Sequence, residues 1–216
     1  MARRRHGESA KSSRKGLSRR DFLKSAGFGA AGLAGAKLLE AKLLAAQSGP
    51  AASDEIGRGR VPLKLNVNGT PRAIAVEPRT TLAQALRENL GLTGTKVVCD
   101  RGACSACTVW LDATPVNACM VLAVDVGKRR VTTIEGLAPE GRLHPVQAAF
   151  VAHDATQCGY CTPGMVMSCA ALLARNANPS LDDVKRAVSG NLCRCGTYPK
   201  VFAATLAAAE TQRGHS

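Results

Sequence analysis

The stretch VPLKLNVNGTPRAIAVE, residues 61–77, alternates apolar and polar positions on both sides of Asn68-Gly69. Period-two alternation around Asn-Gly predicts a hairpin, since a two-residue turn needs two positive φ angles and this pair supplies them cheaply. The period then changes. Thr80 or Thr81 is placed to cap a helix carrying Leu82, Ala85, Leu86 and Leu90 on one face and stopping at Gly91. After a cysteine-rich loop, Thr108–Leu111 and Val131–Ile134 read as short strands. Residues 61–136 are therefore expected to be α+β, a small sheet with one helix across it.

Beyond a short linker at 137–142 the pattern is helical throughout. His144-Pro145 opens one helix that runs to about His153, with proline at a tolerated first-turn position. Thr162-Pro163 opens a second, through Met165, Val166, Cys169, Leu172 and Leu173. Ser180 caps a third, with Asp183 in capping-box register and a stop near Gly190. An Ala-rich fourth spans about Tyr198 to Thr211, so residues 143–213 are expected to form a small helical domain. At 216 residues the chain has room for two such domains, each with its own core.

The net charge of +13 changes this picture little once it is located. Residues 1–24 hold nine Lys/Arg against two acids, whereas from Gly49 onward eighteen face thirteen. The body lacks the basic stripe interleaved with aromatics that single-strand binding uses, and aromatics are only 3% of the chain, so a nucleic-acid partner is not expected. The basic N-terminus is followed by a run of twelve mildly apolar residues, Ser25–Ala36, too short for the ~20 residues of a membrane span. A basic region, a short apolar region and small residues near Ala45–Ser48 fit an exported leader. Ser18-Arg19-Arg20, followed by Phe22, Leu23 and Lys24, resembles the twin-arginine signal. Residues 1–48 are read as that signal, 49–60 as a flexible linker, and the mature chain as periplasmic, with the twin-arginine translocase as a transient partner.

The nine cysteines carry the chemistry. Cys99, Cys104, Cys107 and Cys119 are spaced Cys-x4-Cys-x2-Cys-x11-Cys; Cys158, Cys161, Cys193 and Cys195 are spaced Cys-x2-Cys-x31-Cys-x-Cys. Four and four is what two tetrathiolate metal sites require, and x4-x2 is the plant-type 2Fe–2S spacing. Small residues Gly102, Ala103, Ser105 and Ala106 let the loop backbone approach and turn N–H groups toward sulfur, with Lys96 and Arg101 as nearby cations. Cys158 and Cys161 precede a helix start, where the positive end of the helix dipole favours thiolate. Disulfides and tetrahedral zinc remain alternatives on spacing alone. Cys169, on an apolar helix face, reads as a buried core thiol. With zinc in these sites the chain would be a zinc-stabilised exported binding module with no redox role; with iron–sulfur clusters but no partner, a stand-alone ferredoxin-type carrier.

The segments CDRGACSACTVWLD followed by Cys119, and QCGYCTPGMVMS followed by GNLCRCGTYPK, closely resemble the 2Fe–2S subunit or domain of the xanthine oxidase family of molybdenum hydroxylases. The nearest likeness is to the small subunits of periplasmic aldehyde- or isoquinoline-oxidising members. The resemblance covers about residues 61–212 and implies a ferredoxin-like β-grasp domain followed by an all-α four-helix-bundle domain. It implies two 2Fe–2S clusters, one held by Cys99, Cys104, Cys107 and Cys119 and one by Cys158, Cys161, Cys193 and Cys195. It further implies a molybdopterin cofactor on a large molybdenum-binding partner subunit, touched by Gln157 and Cys195. Electrons from an oxidised aldehyde or N-heterocycle would leave through a flavin (FAD) subunit or a cytochrome c. Many relatives have glycine where this chain has Ser105, and serine fits that loop if its φ stays negative.

Overall fold

The computed structural model describes residues 59–138 and 141–214. The twin-arginine leader and nearly all of the linker after it lie outside the described residues.

Strands β1 (Val61–Val67) and β2 (Thr70–Val76) pair antiparallel around Asn68-Gly69, whose φ angles are +53° and +77°. The predicted turn is thus the observed one. Leu65 and Val67 point into the core while Pro62 and Lys64 face solvent, as the alternation requires. Strands β3 (Thr108–Leu111), β4 (Thr114–Asn117) and β5 (Arg130–Thr132) complete a five-stranded sheet in the order β2-β1-β5-β3-β4. The β1–β5 pair is parallel and the others antiparallel.

Strand β4 was not expected from the pattern, because Pro115 demotes a run that otherwise reads Thr-Pro-Val-Asn. It is an edge strand, where a missing N–H costs no ladder bond. The β3–β4 turn, Asp112-Ala113, has φ angles of +49° and +69°. Alanine carries a Cβ into the left-handed region at a cost of about 1 kcal/mol. Ala113→Gly is therefore expected to raise stability by up to about 0.5 kcal/mol net of glycine's larger unfolded-state entropy, read as a higher denaturant midpoint at unchanged slope.

Helix α1 opens as predicted at Thr81, whose hydroxyl accepts from Gln84 N–H while the Gln84 side chain accepts from Thr81 N–H. Its first turn, Leu82–Gln84, is α-helical, but Ala85–Asn89 widens into a π turn closed by Leu90 N–H to the Ala85 carbonyl at 3.2 Å. The wider turn keeps Leu82, Ala83, Ala85 and Leu86 all buried. Three of them pack with Leu65, Val67, Val109, Leu111 and Val131, so α1 covers one face of the sheet.

Four helices follow: α2 (Pro145–Ala152), α3 (Thr162–Arg175), α4 (Leu181–Ala187) and α5 (Tyr198–Gly214). His144 caps α2 through Nδ1, which accepts from Val146 N–H at 3.2 Å. His153 ends the same helix as its C-cap, not as a residue on its face. Helix α3 is the centre of this half: Gly164 to Ala171 and Leu173 are buried, as expected of a helix apolar on nearly all sides. Sheet and helices pack directly together. Trp110 on β3, the only tryptophan, lies against the helical core and donates its indole N–H to the Met167 carbonyl at 3.0 Å. Among the described residues, no helix is long and apolar enough to cross a membrane.

Candidate metal centres

Three of the first four cysteines enter from one loop, 99–107, and the fourth from a 3₁₀ turn, Ala118–Met120, just after β4. The x11 spacing has a plain structural meaning. The residues between Cys107 and Cys119 are the β3–β4 hairpin and Ala118, so the chain returns to its starting point, with Ala118 N–H bonded to the Cys107 carbonyl at 3.2 Å.

The loop is wound for anionic sulfur. Asp100, Gly102 and Ser105 have φ angles of +50°, +72° and +52°, and left-handed residues set into a loop in this way turn N–H groups inward as an anion-binding nest. Gly102 N–H donates to Cys119 Sγ and Ala103 N–H to Cys99 Sγ, each at 3.3 Å. The Ser105 value corrects the expectation of a negative φ. Its carbonyl explains the strain, since it accepts from Thr108 Oγ1 at 2.7 Å, Thr108 N at 3.3 Å and Asn191 Nδ2 at 3.0 Å. The side chain of Lys96 is engaged elsewhere, donating to the Thr93 carbonyl. Arg101 acts on Cys99 through its backbone N–H.

The second set comes from two inter-helix loops. Cys158 lies in the turn before α3 and Cys161 is the N-cap residue of that helix. Cys193 and Cys195 lie between α4 and α5. Cys193 Sγ lies 3.2 Å from Thr197 Oγ1, and Cys193 N–H donates to the Tyr198 hydroxyl at 2.8 Å.

Within each set the thiols meet in pairs. Cys99 contacts Cys104, and Cys107 contacts Cys119 and feels Cys104. Cys161 contacts Cys193 and feels Cys158, and Cys195 contacts Cys158 and feels Cys193. Among the described residues, no three His, Cys, Asp or Glu side chains are grouped as ligands of one metal ion. Two thiols beside two thiols is the donor set of a two-iron cluster, with two ligands per iron.

The acidities divide by environment. Burial, with the neighbouring thiols, pushes Cys107 and Cys161 up to about 12. Backbone N–H donation from Arg101 brings Cys99 down to about 7. For Cys193, burial opposes ionisation but is outweighed by the Thr197 hydroxyl and backbone N–H, leaving it at about 7. A buried thiol gains most from metal, which replaces its proton without placing a bare anion in the core. Cys169 stands apart. It is fully buried in the helical core, accepts from Thr205 Oγ1 at 3.1 Å, and burial pushes it up to about 11.

The two sets are close neighbours. A cavity of about 190 Å³ is lined by Cys104 of the first set together with Cys158, Cys161 and Cys193 of the second, and by Val98, Tyr160 and Leu192. Leu192 N–H donates to the Cys104 carbonyl at 3.0 Å, a main-chain bond that joins the two cysteine loops beside the Asn191–Ser105 contact. Gln157, Cys158 and Cys195 are all exposed, which leaves one edge of the second set open. A larger cleft, about 400 Å³ and lined by Arg60, Glu77, Arg79 and Glu88, contains no cysteine.

Residues 65–130 match the 2Fe-2S iron-sulfur cluster binding domain and residues 133–206 the [2Fe-2S] binding domain, which makes this an iron–sulfur protein of two 2Fe–2S-binding domains. Two relatives and one solved structure narrow that class. The chain is 46% identical to the aldehyde oxidoreductase iron-sulfur-binding subunit PaoA of Escherichia coli O157:H7, covering 67% of this chain and 69% of the relative. It is 42% identical to the nicotinate dehydrogenase small FeS subunit of Eubacterium barkeri, covering 70% and 96%. The crystal structure of quinoline 2-oxidoreductase from Pseudomonas putida 86 contains a chain 43% identical, matched over 72% of this chain and 97% of that one with a TM-score of 0.69. The chain belongs to the iron–sulfur small subunits of the xanthine oxidase family of molybdenum hydroxylases.

Proposed function

We propose that this chain is the electron-transfer subunit of a molybdenum hydroxylase that oxidises an aldehyde or an N-heterocycle on a large partner subunit. The observation that carries the reading is the division of eight thiols into two sets of paired donors, with backbone N–H groups already bonded to sulfur in the first. Cys99, Cys104, Cys107 and Cys119 hold one 2Fe–2S cluster, on a domain in which α1 lies across the sheet in the β-grasp manner. Cys158, Cys161, Cys193 and Cys195 hold the other, on a four-helix bundle. When bound, each cluster takes up and gives back one electron.

The work of the chain's own residues is to set where and how easily that happens. Gly102 and Ala103 donate hydrogen bonds to sulfur and so favour its charged form. Thr197 does the same at Cys193. The exposed edge carrying Gln157 and Cys195 would meet the molybdopterin of the large subunit, and electrons would leave through the first cysteine set to a flavin subunit or a cytochrome c. Quantifying iron and labile sulfide in the purified full chain, with EPR of the dithionite-reduced protein, tests this. A red-brown protein with two distinct 2Fe–2S signals is expected, and a colourless one with stoichiometric zinc would overturn it. Co-purification with a large molybdenum-containing chain separates a subunit from a free carrier.

Location follows from assembly. Thiolate ligation is coupled to folding, so clusters must be inserted before an oxidising compartment is reached, and a route for folded proteins satisfies that order. Export through the twin-arginine system to the periplasm is the reading of Arg19-Arg20. Changing both to lysine is expected to leave iron-loaded protein in the cytoplasm, and unchanged periplasmic yield in fractionated cells would refute it.

A further inference from the structure

We infer that Asn191 is a positioning residue that locks the two cysteine sets at a fixed separation. It lies two residues before Cys193 and is 3% exposed, yet every polar group it owns has a partner. Its Nδ2 donates to the Ser105 carbonyl at 3.0 Å, inside the loop between Cys104 and Cys107. Its Oδ1 accepts from Ser168 Oγ on α3 at 2.9 Å. Its backbone N–H donates to the Val188 carbonyl at 2.9 Å. Its carbonyl accepts from the Tyr198 hydroxyl at 3.0 Å, and that hydroxyl in turn receives Cys193 N–H at 2.8 Å.

The side chain therefore holds the first loop and the main chain holds the second, with α3 as the fixed wall between. The neighbouring bond from Leu192 N–H to the Cys104 carbonyl cannot supply this alone. It fixes one point, and two loops joined at one point can still pivot. Asn191 adds a second point one residue away on each loop, made by its side chain to the Ser105 carbonyl. Side-chain amides orient well in such a place because both of their ends are specified, here by a donor on one side and an acceptor on the other. Buried, fully satisfied polar groups of this kind specify a single arrangement. The strain at Ser105 fits the same account, since its left-handed φ accompanies a carbonyl that accepts three donors.

This inference rests on both sets holding a cluster, and its test keeps the two claims apart. Two reduced paramagnetic clusters split each other's EPR signals by an amount that depends steeply on their separation, and each has its own midpoint potential. In the iron-loaded full chain, Asn191→Ala is expected to retain both signals while losing or changing the splitting and shifting both potentials. Tyr198→Phe, which removes the bonds to Cys193 N–H and the Asn191 carbonyl but leaves the Asn191 amide on Ser105, is expected to shift the helical-domain cluster alone. Ser168→Ala, which frees one end of the amide, should give a smaller change of the same kind and serves if Asn191→Ala does not fold. A merely structural role would lower Tm and iron content but leave splitting and potentials of the loaded fraction unchanged; that result in Asn191→Ala or Ser168→Ala overturns the inference. Fewer than two cluster signals in the unsubstituted chain overturns the proposed function and this inference together.

Discussion

Replacing Cys107 with serine is expected to halve the iron content and remove one of the two cluster signals while sparing the other. Cys107 is 3% exposed and packs among Leu65, Val109 and Ala118. Its burial, which pushes the thiol up to about 12, means that the site pays heavily for an anion unless metal shares the charge. A serine hydroxyl ionises far less readily than a thiol and is a poor iron ligand, so it does not restore the fourth bond. The helical-domain set draws no thiol from this loop, and its signal should survive. Cys169→Ala is the matching control. That thiol is buried and bonded to Thr205, so its removal should keep the full iron content. Unchanged iron in Cys107→Ser, or a halved content in Cys169→Ala, would contradict the ligand assignment.

Gly164→Ala is expected to destabilise the chain by about 2 kcal/mol. A Cβ there would sit 2.3 Å from the Ser105 carbonyl oxygen and 3.1 Å from two backbone atoms of Ala106. These are main-chain atoms of the first cysteine loop, so a small rotamer change cannot relieve the overlap. Overpacking of this kind costs about 3 kcal/mol, and alanine's better helix propensity returns about 1 kcal/mol. Crowding wins. At 2–4 °C per kcal/mol for a chain of this size, Tm should fall by about 4–8 °C. The loss should be accompanied by altered spectra of both clusters, because Cys161 is the N-cap of α3 and the displaced loop holds Cys104 and Cys107. A Tm equal to or above that of the unsubstituted chain would mean that the loop retreats without cost.

Both predictions turn on contacts between residues far apart in the chain, and such contacts are what a short stretch of sequence does not specify. Elements specified by their own residues were legible. Asn68-Gly69 makes its turn, Thr81, His144 and Ser180 cap their helices, and the cysteine spacings separate two groups from Cys169. Strand β4 was missed because Pro115 is unfavourable in isolation and acceptable only at a sheet edge, which is a property of the assembled sheet. The π turn in α1 was missed likewise. It follows from packing Leu82, Ala83, Ala85 and Leu86 on one side, not from any single residue.

The sequence by itself determined the local chemistry: turn dihedrals, helix caps, a loop small enough to present N–H groups to sulfur, and two sets of four thiols. These depend on steric and hydrogen-bonding preferences acting over a few residues. Only the tertiary structure decided how the sets face each other. The Ser105 carbonyl bonds to Asn191 and fills the space a Cβ at Gly164 would need, and the serine holds a φ of +52° where its intrinsic preference is negative. Asn191 reads as an ordinary polar loop residue until Ser105 and Ser168, 86 and 23 positions away, close around its amide. A buried amide must find partners wherever the fold brings them, and no short stretch of sequence states where that is.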